Sequence, residues 1–295
     1  MTFLTALAQP KKLILDGATG TELNRRGVDT GLPLWSANAL MNDRDTKILQ
    51  TIHEDYLRAG ADIITTNTFR THHRALVPSG NAQRALELTR RAVATARAAL
   101  TAVPAETSRF VAGSISTLED CYRPDLVPSD DALRAEHSER VHHLLECGVD
   151  LFLIETINTI REAVIIAKLA TITGTPVVVS FVCGADGKLL SGETLTTAAR
   201  ELMPLGVCAI GVNCGPTPTL HHPLDELRAA CGKDFPLISY GNIGYADEKV
   251  GWINTDAENP TAYCGHASHW DAKIIGGCCG TTPEHIAVLK STLVS

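Results

Sequence analysis

One pattern occurs three times along the chain: a glycine, an apolar run, and a polar residue seven positions after the glycine. The copies lie at residues 60–67, 148–155 and 206–213. Glycine commonly ends a helix, and a continuous apolar run is typical of a parallel strand that is buried on both faces. The pattern therefore predicts repeated units in which a helix leads into a buried strand with a polar end.

Five more apolar runs have strand character, and helical segments fill the intervals between the runs. These additional runs lie at residues 13–15, 109–114, 176–181, 236–240 and 274–275. We expect helices at about 46–58, 81–100, 130–147, 159–173, 196–203, 224–231, 257–270 and 283–293. Eight alternating strands and helices predict an α/β protein of the (β/α)8 TIM-barrel class, whose active site lies at the carboxyl ends of the strands.

The length of the chain fits one such barrel. A TIM barrel typically takes about 250 residues, and the sequence has 295, with no linker or low-complexity stretch that would divide it. We therefore expect a single domain over residues 1–295. The alternative, a doubly wound sheet, would need a Gly-x-Gly-x-x-Gly turn after the first strand, and Gly17 and Gly20 do not form one.

Composition limits the partners and the compartment. The formal net charge is −7 and no basic stripe offsets it, which argues against nucleic acid or an anionic membrane as a partner. No apolar stretch approaches the roughly 18 residues of a membrane helix, and the first ten residues make a poor signal peptide. Nine cysteines without framework spacing indicate reduced thiols. These features predict a cytoplasmic protein.

Cys278 and Cys279 are adjacent, follow an apolar run that ends in Gly276 and Gly277, and precede Gly280. The pair has three interpretations: a vicinal disulfide, two buried thiols, or two metal ligands. A disulfide needs an oxidising compartment, and ordinary buried thiols would not need glycines on both sides. We favour the metal. Because zinc takes four ligands and a catalytic zinc keeps one position open, another strand should end in a third protein ligand.

Cys214 is the candidate for the third ligand, because it also ends an apolar run and precedes a glycine. It stands 64 residues before Cys278, far outside zinc-finger spacing, so the fold has to assemble the site. The remaining cysteines lack such a placement and are predicted to act as small apolar residues. They are Cys121, Cys147, Cys183, Cys208, Cys231 and Cys264.

Two motifs resemble the zinc-dependent homocysteine S-methyltransferase family: Gly-Val-Asn-Cys at 211–214 and Gly-Gly-Cys-Cys-Gly-Thr-Thr-Pro-Glu-His-Ile at 276–286. The resemblance covers nearly the whole chain. It implies an enzyme whose catalytic Zn²⁺ is bound by Cys214, Cys278 and Cys279, and which transfers a methyl group to the thiolate of homocysteine to form methionine. The implied partners are small molecules, namely homocysteine and a methyl donor.

Asp16 and Glu155 are the predicted partners of the homocysteine ammonium group. Taken alone, Asp16 is consistent with a turn residue and Glu155 with a salt bridge at the barrel rim, although an unpaired carboxylate after a buried strand would be costly. The resemblance implies instead that both bind the substrate. Backbone amides of the turn at Gly17 and Ala18 are expected to bind the substrate carboxylate, since such turns form anion-binding nests.

Other polar and aromatic residues at strand ends are expected to contact the two substrates. The predicted substrate-binding asparagines are Asn67, Asn213 and Asn242. Tyr240 and Phe69 are expected to face a cationic donor through their rings, with core packing as the alternative role of Phe69.

The methyl donor is predicted from the size of the chain and from its departures from the family pattern. Thr156 stands where betaine-using relatives carry Tyr, and Gly241 stands where relatives that use S-methylmethionine often carry Pro. A barrel without further domains for cobalamin or folate needs a methyl donor that is already activated, so a sulfonium donor is expected. S-methylmethionine is the preferred candidate and S-adenosylmethionine the second. The alternatives are betaine or a corrinoid-bound methyl group as donor, a folate- or cobalamin-linked methionine synthase barrel, a non-catalytic zinc or redox-sensing barrel, and a phosphate-binding barrel.

Overall fold

The computed structural model describes residues 1–247 and 251–294. Its strands are β1 (Leu13–Ile14), β2 (Ile63–Thr65), β3 (Phe110–Ile115), β4 (Leu151–Ile157), β5 (Val177–Phe181), β6 (Ala209–Pro216), β7 (Leu237–Asn242), β8 (Gly244–Asp247), β9 (Gly251–Asn254) and β10 (Ile274–Gly277). Eight of them pair in the order β1-β10-β7-β6-β5-β4-β3-β2, all in parallel. A parallel bridge between Leu15 and Ile63 joins the two end strands. The predicted TIM barrel is therefore confirmed.

Helices alternate with the barrel strands. The α-helices are α1 (Phe3–Leu7), α2 (Gly20–Arg25), α3 (Asp43–Arg58), α4 (His73–Leu76), α5 (Ala85–Ala102), α6 (Asp130–Glu146), α7 (Ile160–Thr171), α8 (Leu195–Leu202), α9 (His221–Cys231), α10 (Pro260–Ala267) and α11 (Pro283–Leu293). Each predicted helix is present, with ends that differ by a few residues. Helix α10 begins later than expected because Asn259 caps it and Pro260 occupies its first position. In the described ranges, no helix has the length and apolar character needed to cross a membrane.

Side chains of the barrel strands alternate between two apolar cores. In β4, Leu151 and Leu153 pack inside the barrel, whereas Phe152 and Ile154 belong to the core between the strands and the helices. The alternation follows from the two-residue period of a strand. Because both faces are buried, the strands are continuous apolar runs in the sequence, which is why they were predictable.

The sequence pattern does not predict helices α1, α2 and α4 or the antiparallel hairpin of β8 and β9. Helix α1 adds Phe3 and Leu7 to the inner core, and Phe3 packs edge-on against Phe110 at the beginning of β3, with 5.5 Å between ring centroids. These apolar side chains fill the end of the barrel at which the strands begin. The polar residues that end the strands lie at the opposite end.

Candidate active site

A cavity of about 370 Å³ lies at the carboxyl ends of the barrel strands. Its volume is within the range of roughly 300–1,000 Å³ that is usual for small-molecule sites. Ten of the twelve residues predicted at the site line it, and Asn213 and Asn242 do not. The lining residues among the predicted set are Asp16, Gly17, Ala18, Asn67, Phe69, Glu155, Cys214, Tyr240, Cys278 and Cys279.

The thiols of Cys214, Cys278 and Cys279 form a cluster in the wall of this cavity. Their Sγ atoms all lie within 4.8 Å of one another, and those of Cys214 and Cys279 are 3.9 Å apart. A tetrahedral zinc ion with Zn–S bonds of about 2.3 Å needs sulfur atoms about 3.8 Å apart. The spacing of the thiol cluster therefore fits three ligands of one metal ion, with the fourth position left open.

Close backbone packing positions the two adjacent cysteines. A Cβ atom on Gly276 would lie 2.6 Å from Leu15 Cβ, and one on Gly277 would lie 2.3 Å from Thr281 Oγ1. Only glycine fits at these two positions, which explains the glycines before the thiol pair. The Cys278 amide then donates to the carbonyl oxygen of Gly241 at 2.8 Å.

Asn242 connects the two segments that carry the thiols. Its Nδ2 donates to the carbonyl oxygen of Cys214 at 2.8 Å, and its Oδ1 accepts from the amide of Cys279 at 3.0 Å. The side chain thus lies behind the thiols rather than in the cavity. It is nearly completely buried there, so it can set the distance between the ligands.

Three residues of the cavity wall adopt left-handed backbone conformations that favour glycine. They are Trp35 (φ 49°), Thr156 (φ 57°) and Cys214 (φ 59°). They are the non-glycine residues with positive φ in the described part of the chain, and all three line the cavity. Such conformations cost free energy and collect at functional sites.

The three thiols differ in their pKa values. Hydrogen bonds from the Cys278 and Cys279 thiols hold the pKa of Cys214 well below its usual range. The pKa values of Cys278 and Cys279 are raised, since each would have to ionise beside the Cys214 sulfur and away from water. A bound cation would remove this penalty and displace the remaining protons.

Glu155 lies in β4 with its carboxylate buried. Ser114 Oγ donates to Oε1 at 2.5 Å and Tyr240 Oη donates to Oε2 at 3.0 Å. Burial raises the pKa of Glu155 to about 7. No salt bridge to this carboxylate is found within residues 1–247 and 251–294, so the alternative of a rim ion pair is not supported.

Asp16 follows β1 and is also buried. Its Oδ2 accepts from the Thr65 amide at 2.7 Å and its Oδ1 from the Thr65 hydroxyl at 2.9 Å. Burial raises the pKa of Asp16 to about 7, and the nearby Glu155 carboxylate adds to the rise. Asp16 and Glu155, the carboxylate pair, therefore border one cavity and need a cation to be fully ionised at neutral pH.

The turn after Asp16 offers fewer free amides than the sequence predicts. The Ala18 amide already donates to Thr281 Oγ1 at 3.1 Å, so it is not available to a carboxylate in this structure. Gly17 is packed so closely that a Cβ atom would lie 2.8 Å from both the Tyr56 ring and Thr281 Oγ1. Gly17 thus remains the candidate amide donor of the two.

The other predicted asparagines differ in their surroundings. Asn67 lines the cavity, and its Nδ2 donates to the carbonyl oxygen of Ser36 at 2.8 Å. Asn213 is fully buried and bonds both the amide of Thr156 (3.1 Å) and its hydroxyl (2.8 Å). Asn213 therefore fixes the strained backbone beside Glu155 instead of facing the cavity.

The sequence reasoning missed several residues of the cavity wall. Trp35 packs edge-on against Phe69, with 5.6 Å between ring centroids, and both line the cavity. Tyr122 lies beside the thiol cluster, with its Oη 3.1 Å from Cys214 Sγ. Trp35 begins a short 3-10 helix (Trp35–Leu40) and Tyr122 lies in the loop after β3, and neither segment has a hydrophobic period that marks a position.

Comparison with known proteins agrees with this arrangement. The family model described as homocysteine S-methyltransferase matches residues 13–293. Homocysteine S-methyltransferase YbgG of Bacillus subtilis is 31% identical over 298 residues, which cover 93% of this chain and 92% of the relative. The homocysteine S-methyltransferase of Escherichia coli is 32% identical over 302 residues, which cover 95% and 94%.

Solved structures show the same similarity in three dimensions. The metallated form of the homocysteine methyltransferase MmuM from Escherichia coli matches with a TM-score of 0.83 and 30% identity, over 97% of this chain and 98% of that chain. The apo form of MmuM matches with a TM-score of 0.74 and 28% identity, over 97% of each chain. The chain therefore belongs to the homocysteine S-methyltransferase family, whose reaction is the methylation of homocysteine to methionine.

Proposed function

We propose that this enzyme transfers a methyl group from a sulfonium donor to homocysteine at a zinc centre. The observation that carries the proposal is that the thiol cluster and the carboxylate pair meet in one cavity. Thiols at this spacing suit a soft metal ion, and buried carboxylates without a cationic partner suit an ammonium group. Homocysteine carries both a sulfur that can bind the metal and an ammonium group, so it matches both features.

Cys214, Cys278 and Cys279 would hold the zinc ion. Their sulfur spacing suits it, and the similarity to the metallated form of the Escherichia coli relative supports a bound metal. When bound, zinc supplies the Lewis acidity that keeps the homocysteine sulfur deprotonated at neutral pH. Because these thiols have to stay reduced, we place the reaction in the cytoplasm.

The carboxylate pair would bind the homocysteine ammonium group and direct its sulfur toward the thiol cluster. Tyr240 and Ser114 hold the Glu155 carboxylate, and Thr65 holds that of Asp16, so neither carboxylate has to reorganise. Binding of the ammonium group favours the ionised carboxylates. We assign the substrate carboxylate to the amide of Gly17.

A sulfonium donor fits the charge and the aromatic wall of the cavity. The rings of Trp35, Phe69 and Tyr122 lie in this wall, and aromatic faces attract cations. In the reaction, the homocysteine thiol releases its proton and its sulfur forms a bond to the methyl carbon. The carbon–sulfur bond of the donor breaks, and its electron pair stays on the donor sulfur, which leaves as a neutral thioether. With S-methylmethionine, both products are methionine.

Product analysis with the purified, zinc-loaded enzyme tests this function. Homocysteine is mixed in turn with methyl-labelled S-methylmethionine, S-adenosylmethionine, betaine and methylcobalamin. We expect labelled methionine from S-methylmethionine without added cobalamin, and slower formation from S-adenosylmethionine. Turnover with betaine or methylcobalamin alone would overturn the sulfonium donor, and no methionine from any donor would overturn the proposed reaction.

A further inference from the structure

We propose that Arg70 and Asp120 bind the carboxylate and ammonium groups at the amino-acid head of the methyl donor and select donors that carry both groups. This inference rests on the proposed sulfonium donor and assigns the residues that recognise its head. Arg70 lies in the loop after β2 and Asp120 in the loop after β3, and both line the cavity. Together with the carboxylate pair, they would give the cavity two amino-acid sites.

Arg70 has the charge and the free donors that a carboxylate needs. Among the described residues that line the cavity, it is the single cationic side chain. Its Nη1 makes a long hydrogen bond of 3.4 Å to the carbonyl oxygen of Pro33, and it forms no ion pair within the described ranges. A half-buried guanidinium with unused N–H groups binds carboxylates through two parallel hydrogen bonds.

Asp120 offers the complementary group. Its Oδ1 accepts from the amide of Tyr122 at 2.9 Å, which fixes the carboxylate, while Oδ2 has no hydrogen bond in the part of the chain that the structure describes. Asp120 does not pair with Arg70, although both border the same cavity. The two charges are therefore both available to a ligand that carries a carboxylate and an ammonium group.

The position of these residues separates them from the homocysteine site. Asp16 and Glu155 are buried beside the thiol cluster, whereas Asp120 is exposed and Arg70 is half-buried. The rings of Trp35 and of Phe69, which precedes Arg70 in the chain, pack against each other and also line the cavity. A donor anchored by its head at the exposed end can place its sulfonium along these rings and its methyl group toward the buried sulfur.

The experiment compares three sulfonium donors in the wild-type enzyme and in Arg70→Ala. S-methylmethionine has both head groups, (3-aminopropyl)dimethylsulfonium lacks the carboxylate, and (3-carboxypropyl)dimethylsulfonium lacks the ammonium group. We expect wild type to prefer S-methylmethionine over the first analogue by about 10- to 100-fold in kcat/KM, as for a charge-assisted hydrogen bond. This preference should disappear in Arg70→Ala, while the KM for homocysteine and the zinc content stay unchanged.

Further variants distinguish a loss of donor recognition from a general loss of folding. Arg70→Lys should keep part of the preference because it keeps the charge, and Asp120→Asn should reduce the preference over (3-carboxypropyl)dimethylsulfonium instead. Arg123→Ala is the matched control, since Arg123 is in the same loop as Asp120 but pairs with Asp125 and lies outside the cavity. An unchanged preference in Arg70→Ala overturns this inference alone, whereas a wild-type enzyme that uses no sulfonium overturns the proposed donor as well.

Discussion

The thiol cluster and the carboxylate pair border the same cavity, but the chain positions them differently. The thiols are set by backbone contacts: the amides of Cys278 and Cys279 bond Gly241 and Asn242, and glycines leave room for the turn. The carboxylates are set mainly by side-chain hydroxyls, as Ser114 and Tyr240 do for Glu155. A backbone scaffold suits a permanent ligand, and side-chain contacts suit one that is exchanged in each catalytic cycle.

The two regions also differ in how they hold charge before any ligand binds. In the thiol cluster, the pKa of Cys214 is lowered, whereas the pKa values of Cys278 and Cys279 are raised. In the carboxylate pair, burial raises both pKa values to about 7, so the pair is only partly ionised at neutral pH. Each region is completed by a cation, which would be a metal ion in the first and the substrate ammonium in the second.

The largest effect is expected from Cys279→Ser. Loss of one of three ligands should lower the zinc content below the detection of metal analysis and reduce methionine formation by more than about 1,000-fold, since each thiolate contributes strongly to a structural or catalytic zinc site. Cys231→Ser, at the end of α9 and outside the cavity, serves as the control. Full zinc occupancy in Cys279→Ser would assign the metal to other residues.

Glu155→Gln separates the two regions. The substitution keeps the hydrogen bonds to Ser114 and Tyr240 possible but removes the charge, so the Kd for homocysteine should rise about 10- to 100-fold. Metal analysis should show unchanged zinc, because Glu155 does not belong to the thiol cluster. The exposed Glu87→Gln is the control. A variant that loses zinc but keeps its homocysteine affinity would move Glu155 into the metal site.

Asn242→Ala tests the positioning of the thiols. Because Asn242 joins the segments of Cys214 and Cys279, its loss should weaken zinc binding by about 10-fold, the lower range for residues that orient metal ligands. Competition with a chelator measures this change. The KM for homocysteine at saturating zinc should change little, and a large rise in that KM with normal zinc affinity would restore the predicted substrate contact.

The smallest effect concerns stability and pH. An exposed glutamate has a pKa of about 4.3, and burial raises that of Glu155 to about 7. The folded state therefore keeps a proton that the unfolded state releases, and stability is lost as the pH rises through this window. In the ligand-free protein, Glu155→Gln should gain a few degrees in Tm at pH 8, roughly 2–5 °C, a smaller amount at pH 5, and almost nothing at pH 4 or below. A gain that is larger at pH 5 than at pH 8 would contradict the burial effect.

Much of the barrel and the thiol cluster was predictable because both depend on local patterns. Buried parallel strands appear in the sequence as continuous apolar runs. The glycines before Cys278 and Cys279 are needed because the backbone there packs closely against Leu15 and Thr281. Helix α1 was not predicted, because its five residues are too few to show a helical hydrophobic period. Its stability comes from packing against the end of the barrel at which the strands begin.

The rest of the site depends on contacts that the sequence does not encode locally. Asn213 and Asn242 end strands, as predicted, but their side chains bond Thr156 and the thiol segments instead of facing the cavity. Trp35 reaches the cavity from a short 3-10 helix and Arg70 from a loop, and the path of both segments is set by tertiary packing. A strand end identifies the right face of a barrel, and the direction of each side chain there requires the structure.

X-ray absorption at the zinc edge, with and without homocysteine, tests most directly whether the thiol cluster holds a zinc ion that receives the substrate sulfur. With the zinc-loaded enzyme alone, we expect three sulfur ligands at about 2.3 Å and one lighter ligand. Addition of homocysteine should replace the lighter ligand with a fourth sulfur, and Glu155→Gln should require more homocysteine for the same change. A sulfur count that stays at three under saturating homocysteine, or that is below three at the start, would contradict the proposed centre.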